Sequence, residues 1–97
     1  MTQAMAVLET LKSIKPQLAS QYHIRRFGLF GSVIRGEQTP DSDIDILVEF
    51  ETAPSIFGFL ELEEKLEEVL QAPVDLVDIE GIKPLLRSKI LSEVQYV

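Results

Sequence analysis

An α/β domain with a small mixed sheet flanked by helices is predicted for this chain, and three observations predict it. Apolar residues recur at helical spacing near both ends of the chain and again over residues 56–71. Three short runs, Ile24–Phe30, Ile44–Phe50 and Val74–Ile79, are rich in Ile, Leu, Val and Phe and bounded by turn residues. These signals alternate as helix, strand, short helix, strand, helix, strand, helix, the order expected when helices pack on a small sheet.

The first helix spans residues 2–20, with Met5, Leu8, Leu11, Ile14 and Leu18 on one face. Pro16 lacks the N–H that an interior helical position needs, so the helix is expected to loosen or end between Pro16 and Ser20. His23, the only histidine, precedes the first strand and reads as a loop residue. Ile24–Phe30 is that strand, Ser32 opens a short helix and Gly36 ends it. Gln38–Ser42 holds Thr, Pro, Asp and Ser, a turn signal before the strand Ile44–Phe50.

Ser55 can cap the next helix, whose apolar face carries Phe59, Leu62, Leu66, Val69 and Leu70. Glu61, Glu63, Glu64, Glu67 and Glu68 crowd its other faces, as a solvated surface or as a docking surface for basic residues of a partner. Pro73 breaks this helix before the third strand, and Asp78 is expected to cap the turn after it. A last helix begins near Pro84, packed by Leu85, Leu86, Ile90 and Val94, and Tyr96 is either a packing residue or a contact with another chain.

The 97 residues are expected to form one domain, 1–97, with the 45% apolar and 26% charged content of an ordinary soluble protein. No segment approaches the roughly 20 uninterrupted apolar residues of a membrane span, no signal peptide is visible, and cysteine is absent. Disulfides and thiolate metal sites are thereby excluded, and a cytoplasmic location with no membrane contact is expected. A net charge of −7 disfavours direct nucleic-acid binding, which draws on Lys and Arg contacts to phosphates.

Chemistry concentrates in Phe27–Phe50, FGLFGSVIRGEQTPDSDIDILVEF. A glycine at a strand exit lets the backbone turn tightly and approach a ligand, and Gly31 holds that place. Ser32 then adds a hydroxyl donor to the free N–H groups of a helix start, a combination suited to phosphate. Ten residues separate Ser32 from Asp43. Asp43 and Asp45 lie two apart at a strand start and project from one face, where they repel one another unless a cation lies between them. Oxygen-only ligands suit Mg²⁺, which binds through one or two carboxylates plus substrate phosphates. Phosphoryl or nucleotidyl transfer follows; the plainer reading of the pair is a turn cap. Arg35, one helical turn beyond Ser32, reaches a phosphate or pairs with Glu37 or another nearby acid.

Gly-Ser, ten residues, then Asp-x-Asp resembles the signature of the nucleotidyltransferase superfamily that includes DNA polymerase β and kanamycin nucleotidyltransferase. The fuller string GSVIRGEQTPDSDIDILVEF is similar to its smallest members, the minimal nucleotidyltransferases (MNT), and departs from their usual form at Val33-Ile34. The likeness covers nearly the whole chain, with its specific part in residues 28–48, and implies the nucleotidyltransferase core fold. It also implies a third carboxylate from a neighbouring strand, and Asp75 in VDLV is the matching position.

By that resemblance two Mg²⁺ ions are held by Asp43, Asp45 and Asp75, and Gly31 and Ser32 hold the β and γ phosphates of ATP. The reaction is then transfer of AMP to a hydroxyl, with Asp75 on the acceptor side. The partner implied is a HEPN-type ribonuclease toxin, modified on a tyrosine and thereby neutralised by this chain as antitoxin. Two other readings stay open: a non-catalytic antitoxin that masks the toxin, and a subunit modifying a small molecule in a pocket completed by another chain or by homo-oligomerisation.

Overall fold

The computed structural model describes residues 2–97. Its elements run α1 (Gln3–Tyr22), β1 (Ile24–Phe30), α2 (Ser32–Arg35), β2 (Ile44–Phe50), α3 (Ile56–Leu70) and β3 (Val74–Asp78). A 3₁₀ turn (Ile79–Gly81), α4 (Pro84–Glu93) and β4 (Gln95–Tyr96) follow. The four strands form one mixed sheet in the order β3-β2-β1-β4. β1 pairs antiparallel with β2 and with β4, whereas β2 and β3 are parallel, joined by the α3 crossover.

Period-two alternation divides the strand side chains between two faces. Ile44, Ile46, Val48, Phe27, Leu29, Val74 and Leu76 join the main core with Leu11 and Leu18 of α1 and Leu62 and Leu66 of α3. The opposite face carries a smaller cluster, Phe30, Leu47 and Ile79, against which Val77, Ile82, Ile90 and Val94 pack. One side of the sheet is thus covered by two long helices, and the other only by the 3₁₀ turn and α4.

α1 begins as the sequence suggests, with the Thr2 hydroxyl accepting the Met5 N–H at 3.1 Å. It does not end near Pro16 but continues to Tyr22, where His23 adopts a left-handed φ of 56° and donates its N–H to the Ala19 carbonyl. Pro16 is exposed, while buried Leu18 and Tyr22 hold the continuing turns on the sheet. Met5, expected on the packing face, is 52% exposed, because Val7 takes the buried place together with Leu11.

α4 departs further from expectation. Leu85 and Leu86, read as packing residues, are 90% and 55% exposed, and no residue of α4 is fully buried. The helix rests on the smaller cluster through Ile90 alone, with Val94 just beyond its end. Tyr96 packs within the chain: β4 pairs Tyr96 with Gly28 and Gln95 with Leu29, and the Arg26 guanidinium lies 4.9 Å from the Tyr96 ring centroid. A Cβ on Gly28 would stand 2.4 Å from the Gln95 carbonyl oxygen, so glycine there is what lets β4 close on the sheet.

The glutamates of α3 are not simply a solvated face. Glu67 and Glu63 accept the Val74 and Leu76 N–H groups, each at 3.0 Å, along the outer edge of β3. Unpaired edge donors are a template for association, and here the helix's own carboxylates close them. Glu61 accepts the Tyr22 hydroxyl at 3.1 Å, which together with burial raises the tyrosine's pKa, burial being the larger cause.

Candidate active site

The turn between β1 and α2 and the amino-terminal ends of β2 and β3 meet at one end of the sheet. Pairing fixes this: Phe30, the residue before Gly31, lies opposite Asp45 across the antiparallel pair, and Asp45 lies beside Asp75 across the parallel pair. Strand alternation puts Asp45 and Leu47 on one face and Asp75 and Val77 on the same face, the side bearing the smaller cluster. Asp43 precedes β2 by one residue and is exposed, as is Asp75, while Asp45 is partly buried.

Gly31 is the pivot of the turn. Its φ of 80° is a conformation that side chains disfavour, and a Cβ there would fall 2.0 Å from the Asp45 Oδ2. The carboxylate therefore packs against bare backbone. α2 is a single turn closed by Gly36, whose N–H reaches the carbonyls of Ser32 and Val33.

Asp45 lies in the field of both other carboxylates. Burial pushes the Asp45 pKa above its ordinary value of 3.8, and repulsion from Asp75 and then Asp43 adds to the rise. The Ser32 N–H and the more distant Arg35 charge pull the other way. A carboxylate held near two others has a strained electrostatic environment that a cation would relieve.

Among the described residues, no three or more His, Cys, Asp or Glu side chains, Asp43, Asp45 and Asp75 included, stand close enough together to hold a metal ion by themselves. Asp45 and Asp75 lie side by side in the sheet, with Asp43 just before β2, and their oxygens suit a hard cation that takes most of its shell from water and phosphate. The all-oxygen chemistry of Asp43, Asp45 and Asp75 thus fits Mg²⁺ in the company of a nucleotide.

Arg35 does not point freely into this site. Its Nε donates to Glu37 at 3.0 Å and its Nη1 to both carboxylate oxygens of Glu93 at 3.0 Å, so the guanidinium pKa is raised, with Glu93 the largest cause. Glu93 also accepts the Gly31 N–H at 3.0 Å. Nothing in the sequence marks Glu93, since it closes a weakly patterned helix 62 residues from its partner glycine. Asp78 caps the 3₁₀ turn as expected, accepting the Glu80 N–H at 2.9 Å, and Asp41 is an exposed residue of the turn before β2.

Beside Asp75 an open groove of about 460 Å³ runs between the sheet face and α4. Phe30, Val77, Ile82, Leu86 and Ile90 supply apolar walls, and Lys83 stands at its margin. All but Phe30 come from the continuous stretch from β3 through α4, which folds back over the end of β1.

Comparison with known proteins places the chain in a family. A family model described as a nucleotidyltransferase domain matches residues 11–97. The protein adenylyltransferase MntA of Thermococcus cleftensis is 46% identical over 98 residues, covering 97% of this chain and 99% of the relative. A solved chain assigned as a minimal nucleotidyltransferase is 37% identical, with a TM-score of 0.75 over 91% of this chain and 93% of that one. A chain of a toxin–antitoxin crystal structure with AMP-PNP is 26% identical, with a TM-score of 0.70 over 97% of this chain and 71% of its own length. With the family match spanning residues 11–97 and the adenylyltransferase relative aligned almost end to end, this protein belongs to the nucleotidyltransferase domain family.

Proposed function

We propose that this protein is an antitoxin that transfers AMP from ATP to a tyrosine hydroxyl of a partner HEPN-type toxin. The observation that carries the proposal is the register of Asp45 beside Asp75, with Gly31 and Ser32 across the strand pair. The match to a protein adenylyltransferase over nearly the whole chain and the likeness to a toxin–antitoxin chain with AMP-PNP support the acceptor being a protein.

In this reading Gly31 and Ser32 hold the β and γ phosphates through backbone and hydroxyl donors, with Arg35 adding charge. Asp43, Asp45 and Asp75 would hold two Mg²⁺ ions, which screen the triphosphate and lower the pKa of the attacking hydroxyl when bound. Asp75, exposed at the groove, takes the proton of that hydroxyl. Its oxygen then bonds to the α-phosphorus as the bond to pyrophosphate breaks, and pyrophosphate leaves on the Gly31-Ser32 side. The apolar groove beside Asp75 is the right surface for a phenol ring entering with its hydroxyl foremost.

Incubating the protein with ATP, Mg²⁺ and a HEPN toxin, then weighing the intact toxin, tests the proposal. The toxin is expected to gain mass in steps of one AMP, with no gain when Asp45→Asn replaces the wild type. An unchanged toxin mass under conditions where the two proteins bind would contradict it. Neutralisation that persists with both Asp43→Asn and Asp45→Asn would favour simple masking.

A further inference from the structure

We propose that Glu93 is an internal counter-anion that occupies Arg35 and the Gly31 N–H in the nucleotide-free protein, and that triphosphate binding displaces Arg35 from it. This rests on the reading above, in which Arg35 serves the substrate phosphates.

The geometry carries the inference. Glu93 closes α4, and its side chain is only 18% exposed although the residues around it on that helix are largely open to water. Its Oε1 accepts both the Gly31 N–H and Arg35 Nη1, and its Oε2 accepts Nη1 again, all at 3.0 Å. A backbone N–H at a turn together with a guanidinium is the donor pair that a phosphate oxygen takes. Glu93 satisfies both donors from within the chain.

Charge adds a second line of support. Glu37 holds the Arg35 Nε at 3.0 Å, so one cation lies between two anions. The immediate surroundings of the turn are then net negative even before Asp43, Asp45 and Asp75 are counted. A triphosphate gains little from an Arg35 so neutralised, and gains more once Glu93 lets it go.

The two glutamates are not equivalent. The side chain of Glu37 is 60% exposed, where water screens its pairing, whereas Glu93 is mostly enclosed and reaches the pivot glycine as well as the arginine. Loss of the Glu93 charge is therefore expected to change nucleotide affinity more than loss of the Glu37 charge. Because Glu93 belongs to the helix whose Leu86 and Ile90 line the groove, its release from Arg35 also frees the end of the groove wall when nucleotide binds.

Calorimetric titration with α,β-methylene-ATP and Mg²⁺, which cannot be cleaved at the transfer bond, tests this on the full chain. Glu93→Gln keeps an oxygen for the Gly31 N–H, removes the anion that neutralises Arg35, and is expected to bind about fivefold tighter than wild type. Glu37→Gln is expected to change affinity by less than about twofold, and Arg35→Met to weaken it. AMP, which lacks the β and γ phosphates, is expected to bind wild type and Glu93→Gln alike.

Unchanged or weaker binding by Glu93→Gln, with Arg35→Met still weakened, would overturn this inference alone. Equal tightening by Glu37→Gln would reduce it to general charge removal and overturn it too. Normal binding by Arg35→Met would remove the phosphate role of Arg35 itself. Should Glu93→Gln not fold, the side-chain carboxylate ¹³C resonance of Glu93 in the wild-type protein gives the answer: it is expected to shift on saturation with α,β-methylene-ATP and not with AMP. A Glu93 resonance indifferent to a triphosphate that binds would contradict the exchange.

Discussion

In the proposed function Asp45 serves chemistry, and its surroundings make it a burden on stability. Its carboxylate is partly buried, packs against Gly31 and stands in the field of Asp75 and Asp43, so its pKa lies above the ordinary 3.8. Between that value and the raised one, the folded chain holds a proton that the unfolded chain has lost. Stability of the metal-free protein therefore falls as pH rises through that window, and the loss is complete above the folded-state pKa. Asp45→Asn removes the penalty. Thermal melts in EDTA are expected to show it a few degrees above wild type at neutral pH, with the gap closing below about pH 3.5. A wild type that melts higher at neutral pH would contradict this account of Asp45. Gly31→Ala is expected to act in the opposite sense, since both its φ of 80° and the 2.0 Å approach to Asp45 resist a side chain. Loss of about 2 kcal/mol or more in urea unfolding checks it.

The placement of Gly31, Asp45 and Asp75 at one end of the sheet was legible because it follows from short patterns: Ser32 to Asp45 lies between two adjacent strands, and Asp75 sits in a recognisable strand. Glu93 and the groove walls were not, because no short-range pattern connects Gly31 to a residue 62 positions away.

At the scale of elements, strands and helices with continuous apolar patterns declared themselves, since Ile44–Phe50 and Ile56–Leu70 bury a consistent set of residues. β4 did not, because its two residues are too few to show any period. α1 extends past Pro16 against local preference because tertiary burial outweighs one missing hydrogen bond: Leu11 and Leu18 are 0% and 1% exposed on either side of it. Two outcomes follow. Pro16→Ala is expected to stabilise the protein by about 1–3 kcal/mol, restoring an N–H to an exposed helical position. Leu11→Ala is expected to cost about 3 kcal/mol by opening a cavity under the same helix. Chemical denaturation measures both, and a neutral Leu11→Ala would mean that α1 is not the main cover of the sheet.

Over the whole molecule the two faces of the sheet divide the work. Helices α1 and α3 bury one face as core, and the other stays thinly covered, with Asp45 and Asp75 at its end and an apolar groove beside them. The carboxyl end is tied back by Lys15 Nζ on the Val97 carbonyl oxygen at 2.6 Å and by the Val97 N–H on the Phe27 carbonyl at 3.0 Å, which holds β4 beside β1. Leu86 lines the groove and is 55% exposed, so an acceptor-bearing partner of the kind proposed would meet it there. Leu86→Asp is accordingly expected to lower the rate of toxin modification by about tenfold, read from intact mass over time.

The most direct measurement is anomalous diffraction from a crystal grown with α,β-methylene-ATP and Mn²⁺ in place of Mg²⁺. The account predicts metal peaks within coordination distance of Asp45 and Asp75, with the β and γ phosphates against Gly31 and Ser32. Metal bound elsewhere, or phosphates seated away from that turn, would contradict it.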